Sequence, residues 1–409
     1  MSYASIPIAP KYDRIRQLLN QCGLDGAIVS SPENMHYTVG FAGHQHTVSR
    51  QPGFAIAVLN TRERDPVRVT TMDFEFATFE ARIQELKQAF GEEQVNIIPV
   101  SYHTWVGAKT WDEIRGLTQP PAPEMTTSDT VLRDMVHELG IANGRIGVEM
   151  DYLNVTYVEK LHRMFPEAEF VNISDLFLEA RRIKMDDEIL MFRKLCAVAD
   201  EGFYQVSQQV RPGVTEHEMA QVFRESVIAS GFCIPSSWSM FSTGPASSRL
   251  SLPGRDIVQP DHVFKFDAGV NAEFDFYTTD TSRAWVMPEA ETDLFRLKDR
   301  LYEAQRRMIE SARPGMTFHD LFHTAYDYVK AKYPSYERGH VGHSISLGPQ
   351  TAEAPIISDA NETSLEAGMI LAMEVPCYIK GFNGFNIEDM VLITENGCEV
   401  LTPKTPHYL

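Results

Sequence analysis

Four acidic residues stand inside segments that otherwise have the composition of buried β-strands. Asp267 lies in HVFKFDAGV, Asp280 in FYTTDTSRAWVM, Glu374 in MILAMEVPCYI, and Glu388 directly before Met-Val-Leu-Ile. Strand interiors are depleted in Asp, and a buried, unpaired carboxylate either costs several kcal/mol or takes up a proton. One such acid could sit at a sheet edge or in a salt bridge. Four of them indicate a shared site that needs positive charge.

The cations in the same segments, Lys265 and Arg283, cannot neutralise four carboxylates, whereas divalent metal ions can. The segment RGHVGHSISLG adds His340 and His343 between the two pairs of acids. Four carboxylates and an imidazole suit two hard or borderline ions such as Mn²⁺, Fe²⁺, Co²⁺ or Zn²⁺. Two such ions, about 3.5–4 Å apart, would hold a water molecule and polarise a substrate carbonyl.

The elements around these acids are predicted to bring them together. The segments that hold Asp267 and Asp280 are expected to form adjacent strands of an antiparallel hairpin that turns around residues 271 to 275. Asp275 is then a turn residue, with an extra metal ligand as the alternative reading.

The first part of the chain alternates helical and strand-like segments, which favours an α/β domain. A long helix with acids crowded in its first turn begins near Asp186, as the helix dipole favours. We therefore predict an N-terminal α/β domain at 1–175 and a C-terminal catalytic domain at 176–409.

The second half contains a weak internal repeat. RPGVTEHEMAQVFRESV begins at Arg211 and RPGMTFHDLFHTAYDYV at Arg313. In each copy a Thr followed three residues later by an acid predicts a helix-capping box. The two copies indicate a duplicated helix–turn–helix unit, whose halves would leave a cleft between them.

The second copy also contains two histidines four residues apart, His319 and His323, in HDLFH. Zinc peptidases use this spacing with Glu as the second residue, but here the second residue is Asp. Because Thr317 predicts a helix cap at this point, we interpret the segment as the first turn of a helix rather than as a metal site.

Composition limits the classes of partner. The chain has 409 residues, with 37 Lys and Arg against 56 Asp and Glu, for a net charge of −19. This acidity disfavours nucleic acid and anionic membranes as partners. The five scattered cysteines form no CxxC pair, and the N-terminus is too polar for a secretory signal, so we expect reduced thiols and a cytoplasmic location.

Five segments of the second half, in order, resemble the motifs of the M24 metallopeptidases, the family of methionine aminopeptidase, aminopeptidase P and prolidase. Creatinase shares the family's "pita-bread" fold. The matching segments are Asp267–Gly269, Tyr277–Arg283, Gly342–Ser346, Met373–Pro376 and Asn386–Asp389. Each motif is short, but their common order and spacing make the resemblance specific. NMHYTVGF at Asn34 and GVEMDYL at Gly147 resemble upstream segments, so the similarity covers essentially the whole chain.

This resemblance implies an α+β fold with a C-terminal pita-bread domain, a smaller N-terminal creatinase-like α/β domain, and a homodimer. It also implies a set of metal ligands for two divalent ions, namely Asp267, Asp280, His343, Glu374 and Glu388. In the family pattern Asp280 and Glu388 bridge the ions, and Glu374 also accepts the proton of a bridging water.

The chain departs from the family pattern at several points. Asp267 and Asp280 are 13 residues apart, two more than usual. Two histidines that hold the scissile carbonyl in proline-directed relatives correspond to Ser251 and Gln350, and the Arg before the last Glu is Asn386. We expect Ser251, Gln350 and His340 to line the substrate side. Arg50 lies where creatinase presents an arginine across its dimer interface, and is a further candidate substrate contact.

These observations predict a dinuclear metal-dependent hydrolase that cleaves a C–N bond in an Xaa-Pro-type dipeptide or a small amide-like metabolite. The missing histidines put ordinary Xaa-Pro cleavage in question and keep alternatives open. One is a metal-dependent lyase, similar to the dimethylsulfoniopropionate lyases, acting on a small zwitterion. Another is a non-catalytic binding relative, which retention of all five ligands argues against.

Overall fold

The structure is a computed structural model that describes residues 7–102, 110–118, 126–273, 275–348 and 352–409. The chain divides into two compact units, Met1–Ala180 and Arg181–Leu409. The predicted boundary after residue 175 falls inside the helix Ser174–Arg182, and stays a prediction. Among the described residues, no helix has the length and apolar character needed to cross a bilayer.

The described part of the first unit contains a six-stranded mixed sheet in the order β4-β3-β2-β1-β5-β6. Its strands are Gly26–Val29 (β1), Ile56–Asn60 (β2), Val67–Met72 (β3), Ile97–Tyr102 (β4), Arg145–Val148 (β5) and Glu169–Asn172 (β6). Its helices are Ala9–Gln21 (α1), Pro32–Val39 (α2), His44–Ser49 (α3), Asp73–Phe90 (α4), Trp111–Ile114 (α5), Ser128–Glu138 (α6), Val155–Met164 (α7) and Ser174–Arg182 (α8), with a 3-10 turn at Glu92–Gln94. The predicted alternation of helices and strands is confirmed.

The second unit is built on antiparallel strands with two helix pairs. Its strands are Cys233–Pro235 (β7), Met240–Thr243 (β8), Val263–Ala268 (β9), Val270–Ala272 (β10), Thr281–Val286 (β11), Gly342–Ser344 (β12), Glu353–Ile356 (β13), Ile370–Glu374 (β14), Cys377–Ile379 (β15), Asn383–Phe385 (β16), Glu388–Thr394 (β17) and Gly397–Val400 (β18). Its helices are Asp186–Ser207 (α9), Glu216–Ala229 (α10), Thr292–Ser311 (α11) and Phe318–Lys332 (α12), with a 3-10 turn at Gly244–Ser248.

Within the described residues, the main sheet of this unit has the order β13-β12-β14-β17-β11-β9-β8, and β18 pairs with β17. Two further sheets have two strands each, β7 with β10 and β15 with β16. Every pair in the main sheet is antiparallel. The predicted α+β fold class is confirmed.

The predicted duplication is visible in the two helix pairs. Helices α9 and α10 pack together, and so do α11 and α12. Thr215 Oγ1 accepts a hydrogen bond from Glu218 N at 3.1 Å, and Thr317 Oγ1 accepts one from Asp320 N at 3.0 Å. Each acid in turn accepts the backbone N–H of its threonine, so both predicted capping boxes are confirmed.

Strand β9 shows how the sheet separates core from site. The Phe266 ring lies 3.9 Å, centroid to centroid, from the Phe203 ring of α9, and 3.9 Å from that of Phe241. Because successive side chains of a strand point to opposite faces, the neighbours Lys265 and Asp267 are directed away from this aromatic core. The same alternation on β17 separates Glu388 from Asp389.

Candidate metal centre

Strand register places three of the four predicted acids in one row across the sheet. Ser282 of β11 pairs with Asp267 of β9 on one side and with Glu388 of β17 on the other. Glu388 in turn pairs with Glu374 of β14. Adjacent strands lie about 4.8 Å apart, so the register alone brings these carboxylates within reach of a common pair of ions.

Asp280 and His343 complete the group from either side of the row. Asp280 directly precedes β11, and His343 of β12 pairs with Ala372, two residues before Glu374. His343 Nε2 lies 3.7 Å from Asp280 Oδ2 and 4.0 Å from Glu388 Oε1. One ligand atom from each of these three residues lies within 4.8 Å of the others.

A tight backbone approach holds this end of the hairpin. A Cβ at Gly269 would lie only 1.8 Å from the carbonyl oxygen of Thr279, the residue before Asp280. Only glycine allows the two segments to pass so closely. Asp275 lies in the turn between them, as the sequence predicts, whereas its neighbour Phe274 lies outside the described residues.

The electrostatics of the group show mutual repulsion between its acids. Burial raises the pKa of Glu388 well above its ordinary value, and the charges of Asp280, Glu374, Asp267 and Asp389 raise it further. Burial also raises the pKa of Asp267 to about 6, against the lowering effect of Lys265. Buried carboxylates in this state are stabilised by bound cations.

The positions and hydrogen bonds of individual atoms in this group suit the binding of metal ions. Glu388 Oε2 is buried and has no hydrogen-bond partner among the described residues. His343 Nδ1 lies 3.0 Å from its own strand's Ser344 carbonyl oxygen, so Nδ1 carries the proton and Nε2 directs a lone pair at the acids. Burial lowers the pKa of His343, which favours the neutral form that a metal requires.

Glu374 differs from the other acids because two basic side chains approach it. His340 Nδ1 lies 3.2 Å and Arg338 Nη2 lies 3.5 Å from Glu374 Oε1. Burial raises the pKa of Glu374, but these two groups and His343 together bring it below its ordinary value. Glu374 is therefore ionised at neutral pH while Glu388 is not readily so without a cation.

Comparison with known proteins places this arrangement in a family. The sequence model of metallopeptidase family M24 matches residues 191–395, and that of the creatinase/prolidase N-terminal domain matches residues 11–183. The chain belongs to metallopeptidase family M24. It is accordingly a metallohydrolase, with a creatinase-type N-terminal domain and a C-terminal domain of the pita-bread fold.

Individual relatives agree with this assignment. The chain is 27% identical over 395 residues to an Xaa-Pro dipeptidase of Lactobacillus delbrueckii subsp. lactis, covering 95% of this chain and 96% of the relative. It is 34% identical over 262 residues to an Xaa-Pro dipeptidase of Lactobacillus helveticus, covering 62% of this chain and 69% of the relative. The structure of an Xaa-Pro dipeptidase from Bacillus anthracis shares the fold, with a TM-score of 0.79, 22% identity and coverage of 98% and 99% of the two chains.

The predicted substrate contacts of this M24 enzyme have different surroundings. Ser251 is half-buried in the segment between the 3-10 turn Gly244–Ser248 and β9. Arg50 lies in the first unit, where its guanidinium donates to Glu33 Oε1 at 2.7 Å and Oε2 at 3.1 Å. Gln350 lies outside the described residues. The roles of these residues in substrate binding, like that of His340, stay predictions.

Sequence reasoning missed part of the polar environment of the enzyme's acids. It did not single out Arg338, although the residue lies five positions before His343, or Tyr378, whose ring lies 4.5 Å from Lys265 Nζ. Asn386, noted only as the replacement of an arginine, donates from Nδ2 to Asp267 Oδ2 at 3.2 Å. A basic residue close before the metal-binding histidine was the one signal that could have pointed to Arg338.

A buried ion pair supports the back of the enzyme's ligand strands. Arg283 of β11 donates to Asp389 Oδ1 at 2.7 Å and to the carbonyl oxygens of Glu388 at 2.6 Å and Thr402 at 2.9 Å. Gln305 of α11 donates to the other Asp389 oxygen. These bonds fix the backbone of Glu388 from the face opposite the metal ligands.

Replacing Arg283 by methionine is expected to destabilise the fold by about 3–5 kcal/mol, because it leaves Asp389 as an uncompensated buried charge. Urea unfolding of the two proteins measures the difference. Arg193→Ala is the matched control, since Arg193 forms an ion pair with Glu399 at the surface and its loss should cost less than about 1 kcal/mol. Equal losses in the two variants would contradict the supporting role of Arg283.

The contribution of Asp267 and Glu388 to the stability of the metal-free enzyme is expected to fall as the pH rises. Asp267 has its pKa raised from 3.8 to about 6 by burial, and that of Glu388 is also raised. A raised carboxyl pKa means that the folded state holds protons which the unfolded state releases, so stability is full below the unfolded pKa and declines through the folded pKa. For Asp267 the decline runs from pH 3.8 to about 6.

Thermal unfolding at a series of pH values, with a chelator or with excess Mn²⁺, checks this expectation. The stabilisation by Mn²⁺ should grow with pH across this window, because the ions replace the protons on the acids. A metal-dependent stabilisation that does not change with pH would be inconsistent with repulsion among these carboxylates.

Proposed function

We propose that the enzyme hydrolyses the peptide bond of Xaa-Pro dipeptides with two divalent metal ions as cofactor. The single observation that carries the proposal is the row of acids across β9, β11, β17 and β14, closed by His343. Xaa-Pro dipeptidases among the relatives support the substrate class, one of them aligning over 95% of the chain. The comparisons do not favour the lyase alternative or a non-catalytic relative.

The proposed ligands of the two ions are the side chains of Asp267, Asp280, His343, Glu374 and Glu388. The oxygen-rich set suits Mn²⁺, Fe²⁺, Co²⁺ or Zn²⁺. Such ions, when bound, polarise a carbonyl oxygen and lower the pKa of water toward neutrality.

Glu374 is the residue proposed to move protons. Its Oε1 is kept ionised by the nearby His340 and Arg338, so it can take a proton from the attacking water at neutral pH. The same carboxyl then gives the proton to the nitrogen of the leaving proline. His340 is half-exposed, so it is also available to contact the substrate, as predicted.

The remaining positive charge of the site suits a substrate with a free carboxylate. Lys265 is fully buried, and donates to the carbonyl oxygen of Arg249 at 3.1 Å beside the segment that carries Ser251. Arg338 and Lys265 both approach the Tyr378 ring. We propose that these cations attract the carboxylate of the dipeptide. Ser251 and Gln350, which stand where the family has histidines, and Arg50 are the further candidate substrate contacts.

Incubation of the Mn²⁺-loaded enzyme with Gly-Pro, Ala-Pro and dimethylsulfoniopropionate tests the proposal. We expect metal-dependent release of free proline, measured colorimetrically, and no dimethyl sulfide. Glycylglycine, which lacks the proline ring, and proline amides, which lack the free carboxylate, serve as matched controls. Release of dimethyl sulfide without proline would show that the enzyme is a lyase and not a peptidase. Failure to bind metal would favour a non-catalytic relative.

We further propose the division into domains at 1–175 and 176–409, a homodimer and a cytoplasmic location. The presence of two domains is supported by the family models, of which the N-terminal one ends at residue 183 and the C-terminal one begins at residue 191. The homodimer and the location rest on family likeness and on composition. Light scattering during size-exclusion chromatography tests the homodimer.

A further inference from the structure

A second group of metal-binding side chains lies on helix α12, outside the site described above. His319 and His323 are four residues apart on α12, and the centroids of their rings lie 4.4 Å apart with the ring planes tilted by 53°. Asp359, from the segment after β13, lies within hydrogen-bond distance of His323. One ligand atom from each of the three residues lies within 4.8 Å of the others.

The distances within this group are close to those of a metal site. His323 Nε2 lies 2.7 Å and His319 Nδ1 lies 3.6 Å from Asp359 Oδ1. His319 Nδ1 also lies 2.6 Å from the carbonyl oxygen of Asp359, so binding of an ion there releases the proton of that hydrogen bond. Ligand atoms around a tetrahedral Zn²⁺ are about 3.3 Å apart, given bonds of about 2.0 Å. Glu362 Oε1, at 3.9 Å from His319 Nδ1, is available as a fourth ligand.

The surroundings orient the ligands before any ion arrives. The second ring nitrogen of His323, Nδ1, lies 3.1 Å from Asp327 Oδ2. A carboxylate that holds the far nitrogen of a histidine fixes its tautomer and is a recurrent partner of metal-binding imidazoles. His323 Nε2 is hydrogen-bonded to Asp359 Oδ1, and an ion that binds here replaces the proton between these two atoms.

The segment that carries Asp359 is also held in place over the helix. His319 N donates to the carbonyl oxygen of Asn361 at 2.8 Å, and Asn361 Nδ2 donates to that of Ile356 at 2.8 Å. Ile357 N donates to the carbonyl oxygen of Gly342, the residue before His343, at 2.8 Å. Because the segment is tied at both ends, Asp359 meets the two histidines without a rearrangement of the backbone.

We propose that His319, His323 and Asp359 bind one further divalent ion of the late first-row series, with Zn²⁺, Ni²⁺ and Cu²⁺ as the ions that imidazole and carboxylate together prefer. None of the proposed catalytic ligands takes part, so the site is independent of the proposed peptidase function. The bound ion joins α12 to the segment 357–362 and stabilises the folded enzyme by mass action.

The duplicated helix provides an internal control for this site. In the first copy His217 occupies the position of His319, at the second residue of α10, but Gln221 stands where the second copy has His323. His217 is exposed and belongs to the same kind of capped first turn. An effect of histidine at a helix N-terminus alone would therefore appear equally in both copies.

The test counts metal ions in the full-length enzyme. Protein loaded with Mn²⁺ is dialysed against micromolar free Zn²⁺, and both metals are measured by plasma mass spectrometry. We expect the wild type to hold one more Zn²⁺ per chain than His319→Ala/His323→Ala. The two proteins have the same ligands for the pair of catalytic ions, so that site does not contribute to the difference. Asp359→Asn should weaken the site about tenfold or more, and His217→Ala should match the wild type.

Two further measurements separate the outcomes. Zn²⁺ should raise the melting temperature of Mn²⁺-loaded wild type and His217→Ala, but not that of the double variant. In Cu²⁺-loaded protein, electron paramagnetic resonance should show coupling to two imidazole nitrogens that the double variant lacks. Equal Zn²⁺ counts in wild type and double variant, or an equal loss in His217→Ala, would overturn the proposal.

Discussion

Replacing Asp280 or Glu388 by alanine is expected to abolish both high-affinity metal binding and hydrolysis. Their carboxylates, with His343, form the cluster whose ligand atoms lie within 4.8 Å of one another, and both are the proposed bridges between the ions. Loss even of a supporting group outside a metal's ligand shell weakens binding about 10–100-fold, so loss of a bridge should exceed this. Metal content after dialysis and proline release from Gly-Pro measure the two effects.

Two controls separate a lost ligand from a lost fold. Glu395→Ala removes an exposed acid from the turn that follows the same strand, β17, and should leave metal content and activity unchanged. Glu388→Gln keeps the side-chain size and cannot ionise, so folding of the metal-free protein no longer requires a buried carboxyl to take up a proton. It should therefore lower metal affinity but raise the melting temperature of the metal-free protein at neutral pH. A metal-loaded, active Asp280→Ala enzyme would refute the ligand assignment.

The acids of the site were recognisable from the sequence because carboxylates are unusual in strands that are otherwise apolar. A carboxylate in a strand such as ILAMEV or EDMVLIT conflicts with the local pattern, and such conflicts tend to mark functional sites. The conflict identifies the residues without requiring any knowledge of the sheet. Even the hairpin of Asp267 and Asp280 follows from strand composition and a turn between them.

Strand order, by contrast, could not be read from the residues alone. The row from Asp267 through Ser282 and Glu388 to Glu374 joins strands that are far apart in the chain. Pairing of β14 with β17 and of β17 with β11 depends on register across the whole sheet. Local periodicity in the sequence does not determine that register. The residue types indicated a shared site, but they did not show which strands bring the acids together.

Residues that act through long-range contacts were missed for the same reason. Arg338 and Tyr378 are ordinary surface or strand residues by local pattern, and their importance arises only from proximity to Glu374 and Lys265. The segment HDLFH shows the same limit of local pattern. The helix cap at Thr317 was predicted, but the third group beside the two histidines, Asp359, lies 36 residues after His323.

Replacing Glu374 by glutamine is expected to lower kcat by about 10²–10⁴-fold, the range for loss of a general base, with a smaller change in metal content. Glutamine retains an oxygen that can approach an ion but cannot accept a proton at neutral pH. The carboxylate is kept ionised by His340 at 3.2 Å and Arg338 at 3.5 Å. Steady-state kinetics on Gly-Pro and metal analysis of the same preparation measure the two effects.

His340→Gln provides the matched control for the proton-transfer role. His340 helps to lower the pKa of Glu374, so its loss should raise that pKa and move the acidic limb of the kcat profile to higher pH. Activity at alkaline pH should be affected less than in Glu374→Gln. If Glu374→Gln retains kcat, or if it loses metal as completely as Asp280→Ala, then Glu374 is not the base, and proton transfer belongs to another group of the site.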